Sequence, residues 1–280
     1  RVEGGRLMKT FHRIVRFLVN LFLLAFAALT LTPMVWLLAA TLKSPDDLFS
    51  YTFFAPRLST YNFRDLFSTV PFHRYMINSI FVASTMVIVQ LFFSSLAGFA
   101  LAKYDFKGKK PIMILMLSTM MLPSQVLMAP LYELIYRMGL VDSYAGLVVP
   151  GAVSVFGIFL FRQSILQVPD ELLHAARIDG CSEFRIYWDI VMPVSRPMIG
   201  AFCLISFMGT WNSFLWPQII LHKTERFTLP IALNQLVGLY QQQYGTLMAG
   251  TLLSVLPVII LFMLLQKEFI AGLTAGAVKG

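Results

Sequence analysis

Polar side chains set inside long apolar runs are the first candidates for chemistry. They are Gln90, then Ser124 and Gln125 just after Pro123, and then Thr210, Trp211, Asn212 and Ser213. Amides and hydroxyls hydrogen-bond hydroxyl groups, and a flat indole covers an apolar face. Gln90, Ser124, Gln125, Trp211, Asn212 and Ser213 are therefore the candidate lining of a passage for a hydroxyl-rich solute. The competing reading of each is a hydrogen bond between neighbouring helices. Catalytic chemistry finds no support. The four histidines never approach His-Glu-x-x-His spacing, and Cys181 and Cys203 have no metal-ligand spacing. Gly108-Lys109 has Lys103 where the first glycine of a phosphate loop belongs. No catalytic residue, metal site or cofactor is expected in this chain.

The elements that carry these residues follow from the charge distribution. Of 280 residues, 58% are apolar and 13% charged, against about 25% charged in soluble domains. All charged residues fall outside six stretches: 17–42, 75–102, 111–132, 143–161, 197–222 and 227–266. Five are 19 to 28 residues long, and the sixth holds an apolar core at 247–266. A membrane-spanning helix needs roughly 20 apolar residues. The expected fold is all-α, one polytopic membrane domain over 1–280 with six spans at about 17–42, 75–102, 111–132, 143–161, 197–221 and 247–266. The first run is 26 residues long, beyond the roughly 7–15 of a signal peptide, so it reads as an uncleaved anchor. Met8-Lys9-Thr10 has the form of a native start, and on that reading part of 1–7 would be a cloning remnant.

Alternating sides from an inside N-terminus puts 15 of the 22 basic residues inside and 7 outside. That bias favours cytoplasmic N- and C-termini. It also explains the net charge of +8 without nucleic acid. The outside segment 43–74 reads as an ordered loop with a short helix. Trp36 and Trp216 lie near the outer ends of their spans and read as an interfacial belt.

The inside loop 163–196 is the most informative stretch. Pro169 suits a first helical position, and Asp170 and Glu171 favour the positive start of that helix. Gly180 fits the left-handed residue that ends it, and Ser182 fits the cap of a second helix stopping before Pro193. Two short helices joined at a glycine make a knob, with Leu172, Ala175, Ala176 and Ile178 as its docking surface.

This loop resembles the EAA loop of bacterial ABC importer permeases, whose pattern is Glu-Ala-Ala, then Asp-Gly-Ala, then Leu-Pro. Pro169-x-Glu171-Leu172-x-x-Ala175-Ala176-x-x-Asp179-Gly180, followed by Trp188 and Met192-Pro193, is similar to carbohydrate permeases of the maltose-transporter type. Asn78-Ser79, Thr210-Trp211-Asn212, Phe214-Leu215-Trp216-Pro217 and the ending Gly272 to Gly280 extend the likeness over nearly all the chain. The departures are His174 for Glu, Cys181 for Ala and Met192 for Leu.

The resemblance implies a permease subunit of an ATP-driven importer in the bacterial cytoplasmic membrane. It implies a second, non-identical permease subunit, two ATP-binding subunits that hold ATP and Mg, and an external solute-binding protein that delivers a carbohydrate. It assigns Glu171, Leu172, His174, Ala175, Ala176, Asp179, Gly180, Phe184, Trp188 and Pro193 to ATPase coupling. Gly272 and Gly276 become part of a tail reaching the ATPase. His174 in place of Glu removes a charge that could pair there. An amino-acid or peptide permease is the nearest alternative. An ion-coupled carrier is the next, although none of the six spans holds the acid it would need.

Overall fold

A computed structural model describes residues 2–237 and 243–275. The chain runs through α1 (Val2–Thr41), α2 (Tyr61–Thr69), α3 (Phe72–Lys103), α4 (Lys109–Thr119), α5 (Met128–Arg137), α6 (Tyr144–Val148) and α7 (Val155–Ile165). It continues through α8 (Asp170–Ile178), α9 (Glu183–Ile186), α10 (Met192–Val194), α11 (Arg196–Trp211), α12 (Leu215–Ile220), α13 (Leu229–Gln235) and α14 (Tyr244–Ala275). No strand occurs among the described residues.

Three helices are long and apolar enough to cross a membrane: Phe11–Thr41, Phe72–Lys103 and Tyr244–Gly272. Three bent pairs pass the same test jointly, which gives up to six spans. The bends redraw several expected boundaries. The run 111–132 is broken by 94° between Lys109–Thr119 and Ser124–Arg137. Pro123 sits in the break with an extended ψ of 127°; it has no N–H to give a helix and disfavours the helical region at the residue before it. The run 143–161 bends by 48° between Tyr144–Gly151 and Val155–Ile165. The third bent pair joins Glu183–Val194 to Arg196–Trp211 at 81°, so the expected run 197–221 ends its first helix at Trp211 and restarts at Leu215 outside that pair.

The chain divides into two compact units, Arg1–Val70 with Leu239–Leu253, and Pro71–Gly238 with Ser254–Gly280. In the first, the expected outer loop is ordered around Asn62. Its side-chain amide donates to the Thr41 and Lys43 carbonyls at 2.9 Å each. The buried Lys43 ammonium donates to the Thr52 carbonyl at 2.6 Å.

The second unit is built around α3, α7 and α11. A Cβ on Gly98 would stand 2.7 Å from Phe161 Cβ and 2.9 Å from the Arg162 amide nitrogen, so α3 and α7 meet backbone to backbone. Close approach through small residues is how helices pack where no hydrophobic drive separates lipid from protein. Asn78 and Ser79 tie the start of α3 to the segment before α13. The Asn78 amide donates to the Glu225 and Phe227 carbonyls, and Ser79 Oγ accepts the Leu229 N–H at 2.7 Å.

Candidate functional site

The first assembly of interest is the knob between α7 and α11. Asp170 and Glu171 occupy the first turn of α8, next to its positive end. Asp179 closes the helix and Gly180 takes φ +79°, as its type requires. The Gly180 N–H donates to the Arg177 carbonyl at 3.1 Å, and the Cys181 N–H reaches back to Ala176 at 3.0 Å. Ser182 then caps α9, its Oγ accepting the Arg185 N–H. One expectation fails: the second helix does not stop before Pro193. A π turn over Tyr187–Val191, with the Met192 N–H bonded to the Tyr187 carbonyl, carries the chain into α10. The wider turn accommodates a proline that has no N–H of its own to give.

The knob has two faces. Leu173, Ala176, Ile186, Tyr187 and Val191 are buried in one core with Phe99, Phe161 and Phe202. The Tyr187 hydroxyl and Ser95 Oγ share a buried hydrogen bond of 2.7 Å. The other face exposes Glu171, Leu172, His174, Ala175, Ile178, Asp179, Phe184 and Trp188. Ile178 is 86% exposed, and the Phe184 and Trp188 rings stack at 6.5 Å and 12°.

Two polar clamps fasten the knob to the end of α3. The Lys103 side chain is only 5% exposed; its ammonium donates to the Val168 carbonyl at 2.5 Å and to Asp170 at 2.7 Å. That hydrogen bond and the Lys103 charge hold the Asp170 carboxyl below its usual range. Tyr104 donates to Glu183, which also accepts two hydrogen bonds from Arg177 at 2.7 and 3.1 Å.

The second assembly lies where α11 breaks off. Asn212 and Ser213 in this gap, and Ser124 in the α4–α5 break, line an open cavity of about 430 Å³ with Met128, Phe214 and Trp216. No lining residue is charged. The volume falls within the roughly 300–1,000 Å³ of small-molecule sites. Asn212 is exposed, and its amide donates back to the Met208 carbonyl at 3.0 Å. Trp216 is held in place by its indole N–H, which donates to the Gly146 carbonyl at 3.2 Å.

Residues 90–273 match the family described as "Binding-protein-dependent transport system inner membrane component". The chain belongs to this family. It is 39% identical over 272 residues to the arabinooligosaccharides transport system permease protein AraQ of Bacillus subtilis (strain 168), covering 95% of this chain and 97% of that one. It is 32% identical over 276 residues to the lactose transport system permease protein LacG of Rhizobium radiobacter, covering 98% and 100%. It is 33% identical over 208 residues to an Escherichia coli sn-glycerol-3-phosphate permease protein, UgpE, covering 74% of each. The same fold occurs in a bacterial ABC transporter involved in the import of the acidic polysaccharide alginate. That match has a TM-score of 0.80 and 23% identity, covering 92% of this chain and 97% of that one.

The permease brings some of the singled-out residues together and separates others. Ser124, Asn212 and Ser213 share the cavity, while Gln90, Gln125 and Trp211 do not line it. Gln90 donates to the Gly151 carbonyl at 2.7 Å and accepts the Ser206 hydroxyl at 2.7 Å, so it ties α3 to the α6–α7 break and to α11. Trp211 is buried and stacks on Phe207 at 5.5 Å. Gln125 is exposed beside Ser124. In the knob, Ala176 points into the core and leaves the expected docking face, because α8 turns its Leu173–Ala176 stripe inward. Pro193 is exposed inside α10.

Gly272 does not lie in a tail. It is buried within α14, where an added Cβ would stand 2.7 Å from the Pro197 carbonyl oxygen, so its missing side chain serves packing. Gly276 lies outside the described residues. Trp36 is largely exposed, as a belt residue would be, but Trp216 is half-buried and hydrogen-bonded within the protein. Sequence reasoning missed Lys103, Tyr104, Arg177 and Glu183. Their pairing joins residues up to 79 positions apart, and only the docking of α8 and α9 under α3 creates it.

Proposed function

We propose that this permease subunit carries a neutral, hydroxyl-rich carbohydrate across the bacterial cytoplasmic membrane by ATP-driven alternating access. The observation that carries the reading is the knob, a capped helix pair with an exposed aromatic and aliphatic face and a base clamped to α3. Such a piece transmits force from a partner docked on Leu172, His174, Ala175, Ile178, Phe184 and Trp188. That partner is one of two ATP-binding subunits holding ATP and Mg, and a second, non-identical permease completes the passage. The N- and C-termini lie on the cytoplasmic side with the knob, and the external binding protein delivers solute at the opposite face. The names of the relatives support a carbohydrate, since arabinooligosaccharides and lactose are both rich in hydroxyls. The uncharged lining of Ser124, Asn212, Ser213 and Trp216 favours a neutral solute over a phosphate ester or an amino acid.

The test is reconstitution with the co-encoded permease, ATP-binding subunits and binding protein in lipid nanodiscs. ATP hydrolysis is measured with arabinobiose, arabinotriose, lactose, sn-glycerol 3-phosphate and glutamine. Stimulation by one of the neutral sugars is expected. Stimulation by glutamine or by the phosphate ester alone overturns the solute class, and a rate indifferent to every loaded binding protein overturns the importer reading.

A further inference from the structure

A groove of about 400 Å³ runs along the second unit between α3, α11 and α14. Its walls are bulky and apolar: Val87 and Ile88 from α3, Ile199 and Phe207 from α11, Leu261 and Leu265 from α14. Ile88 is exposed, so the groove lies open along one side. At the knob end α11 and α14 meet backbone to backbone. A Cβ on Gly200 would collide with the Glu268 Cβ, and one on Gly272 with the Pro197 carbonyl. Beyond that contact the two helices part, and the groove follows α11 from Arg196 to Phe207, about 16 Å of helix rise. The hydrocarbon core is roughly 30 Å thick, so the groove has the depth of one leaflet, the one on the knob's side.

The two charged residues of the groove stand at this knob end. Arg196 meets Glu268 through one guanidinium nitrogen at 3.3 Å, yet the arginine side chain stays 76% exposed. A guanidinium carries several N–H donors in a fork, so one ion pair leaves donors for a second anion. Lys267, exposed in the same turn of α14, keeps the local charge positive. An apolar trough one leaflet deep with a cation at its mouth matches the acyl chain and phosphate of a lipid. Basic pockets between spanning helices hold anionic headgroups, and arginine takes phosphate through two parallel hydrogen bonds. A helix of another subunit fits less well. Membrane helices close on small residues, and Gly200 and Gly272 are already used by the contact between α11 and α14.

We infer that this groove is a binding site for an anionic phospholipid, one acyl chain along the apolar walls and the phosphate on Arg196. No residue of the groove lines the cavity at Asn212, so the inference stands apart from the solute reading. Cys203 lies within the groove and serves as its reporter; Leu265→Cys supplies a second on the facing wall.

The complete complex is reconstituted in nanodiscs of phosphatidylcholine alone or of a three-to-one mixture with phosphatidylglycerol. Alkylation by N-cyclohexylmaleimide, which enters the bilayer, is followed by mass spectrometry of the peptide carrying the reporter. Phosphatidylglycerol should slow alkylation at least threefold. Glycerophosphoglycerol, the same headgroup without chains, should not. Arg196→Gln should abolish the slowing. Glu268→Gln removes the same ion pair but keeps the arginine, so the slowing should persist or grow. Undiminished slowing in Arg196→Gln would be an effect of surface charge and overturns the site. Loss of slowing in both variants assigns the effect to the ion pair and overturns it as well. Reporters that react in neither lipid show the groove covered by another subunit, which excludes the lipid. The wild-type comparison decides even if neither variant assembles, because equal rates in the two lipids leave no anionic-lipid site.

Discussion

Replacing Gly180 tests whether the bend of the knob, and not some contact made there, is what transport requires. Gly180 has φ +79°, a region that costs an L-residue roughly 1–2 kcal/mol. An added Cβ would meet nothing within 4 Å, so the whole penalty is backbone strain within this chain. At about 1.4 kcal/mol per factor of ten, Gly180→Ala should lower the share of correctly bent knobs several-fold to thirtyfold wherever the bend is marginal. Gly180→Val should be worse, because β-branching disfavours the region further. Gly180→Asn should recover much of the loss, since asparagine tolerates this conformation. The assay is uptake per ATP hydrolysed in the reconstituted complex, with assembly checked by co-purification of the ATP-binding subunits. The expected order is Gly, Asn, Ala, Val. If Val matches Gly, the bend has no role in coupling. If Asn is as poor as Val, the position is sensitive to side-chain bulk at a partner contact and the strain argument fails.

Three further outcomes follow from the geometry. Gln90→Leu removes two hydrogen bonds, each worth about 0.6 kcal/mol on average between membrane helices, and should lower the thermal midpoint by a few degrees without altering which sugar is preferred. A changed preference would return Gln90 to the passage. Lys103→Met removes the donor that holds the Val168 carbonyl and Asp170, so ATP hydrolysis should persist while uptake per ATP falls; an unchanged ratio would show the clamp idle. The Asp142 carboxyl is pushed up by burial, but the Lys223 and His222 N–H groups and Arg226 outweigh this and hold it below 3.8. Its stabilisation is therefore complete above that value and lost as pH falls through the lower folded one. Asp142→Asn should flatten the acid limb of thermal stability below about pH 4, and identical acid limbs would refute the assignment.

The knob was legible in the sequence because its signals are local. Asp170, Gly180 and Ser182 each act within one turn of their own backbone, and their spacing carries the geometry with it. The membrane-crossing character was legible for a similar reason, since a charge-free stretch of sufficient length needs no partner to be recognised. The interruptions were only partly so. A proline inside an apolar run, as Pro123 is, favours a kink, but a bend of 94° depends on where the following helix packs. The gap after Trp211 carries only the weak signals of Asn212, Ser213 and Pro217. The clamps at Lys103 and Tyr104 were not legible at all, because they depend on contacts across the fold.

The polar residues within the spans show why a passage cannot be separated from packing by residue type. Every break in a membrane helix frees backbone groups that must be satisfied by protein or by a wet cavity. At the α6–α7 break α3 supplies the partners. Gln90 takes the Gly151 carbonyl, and Ser94, one turn further on, both accepts the Ser154 N–H and donates to its carbonyl. That break is closed, and its polar residues are committed to holding it. At the end of α11 Asn212 only reaches back to its own helix and stays exposed, with Ser213, Ser124 and Trp216 around the same cavity. That break is open. Two amides that look alike in an apolar run thus differ in whether a neighbouring helix has already taken them, and the one left with room around it is the one that can meet a solute.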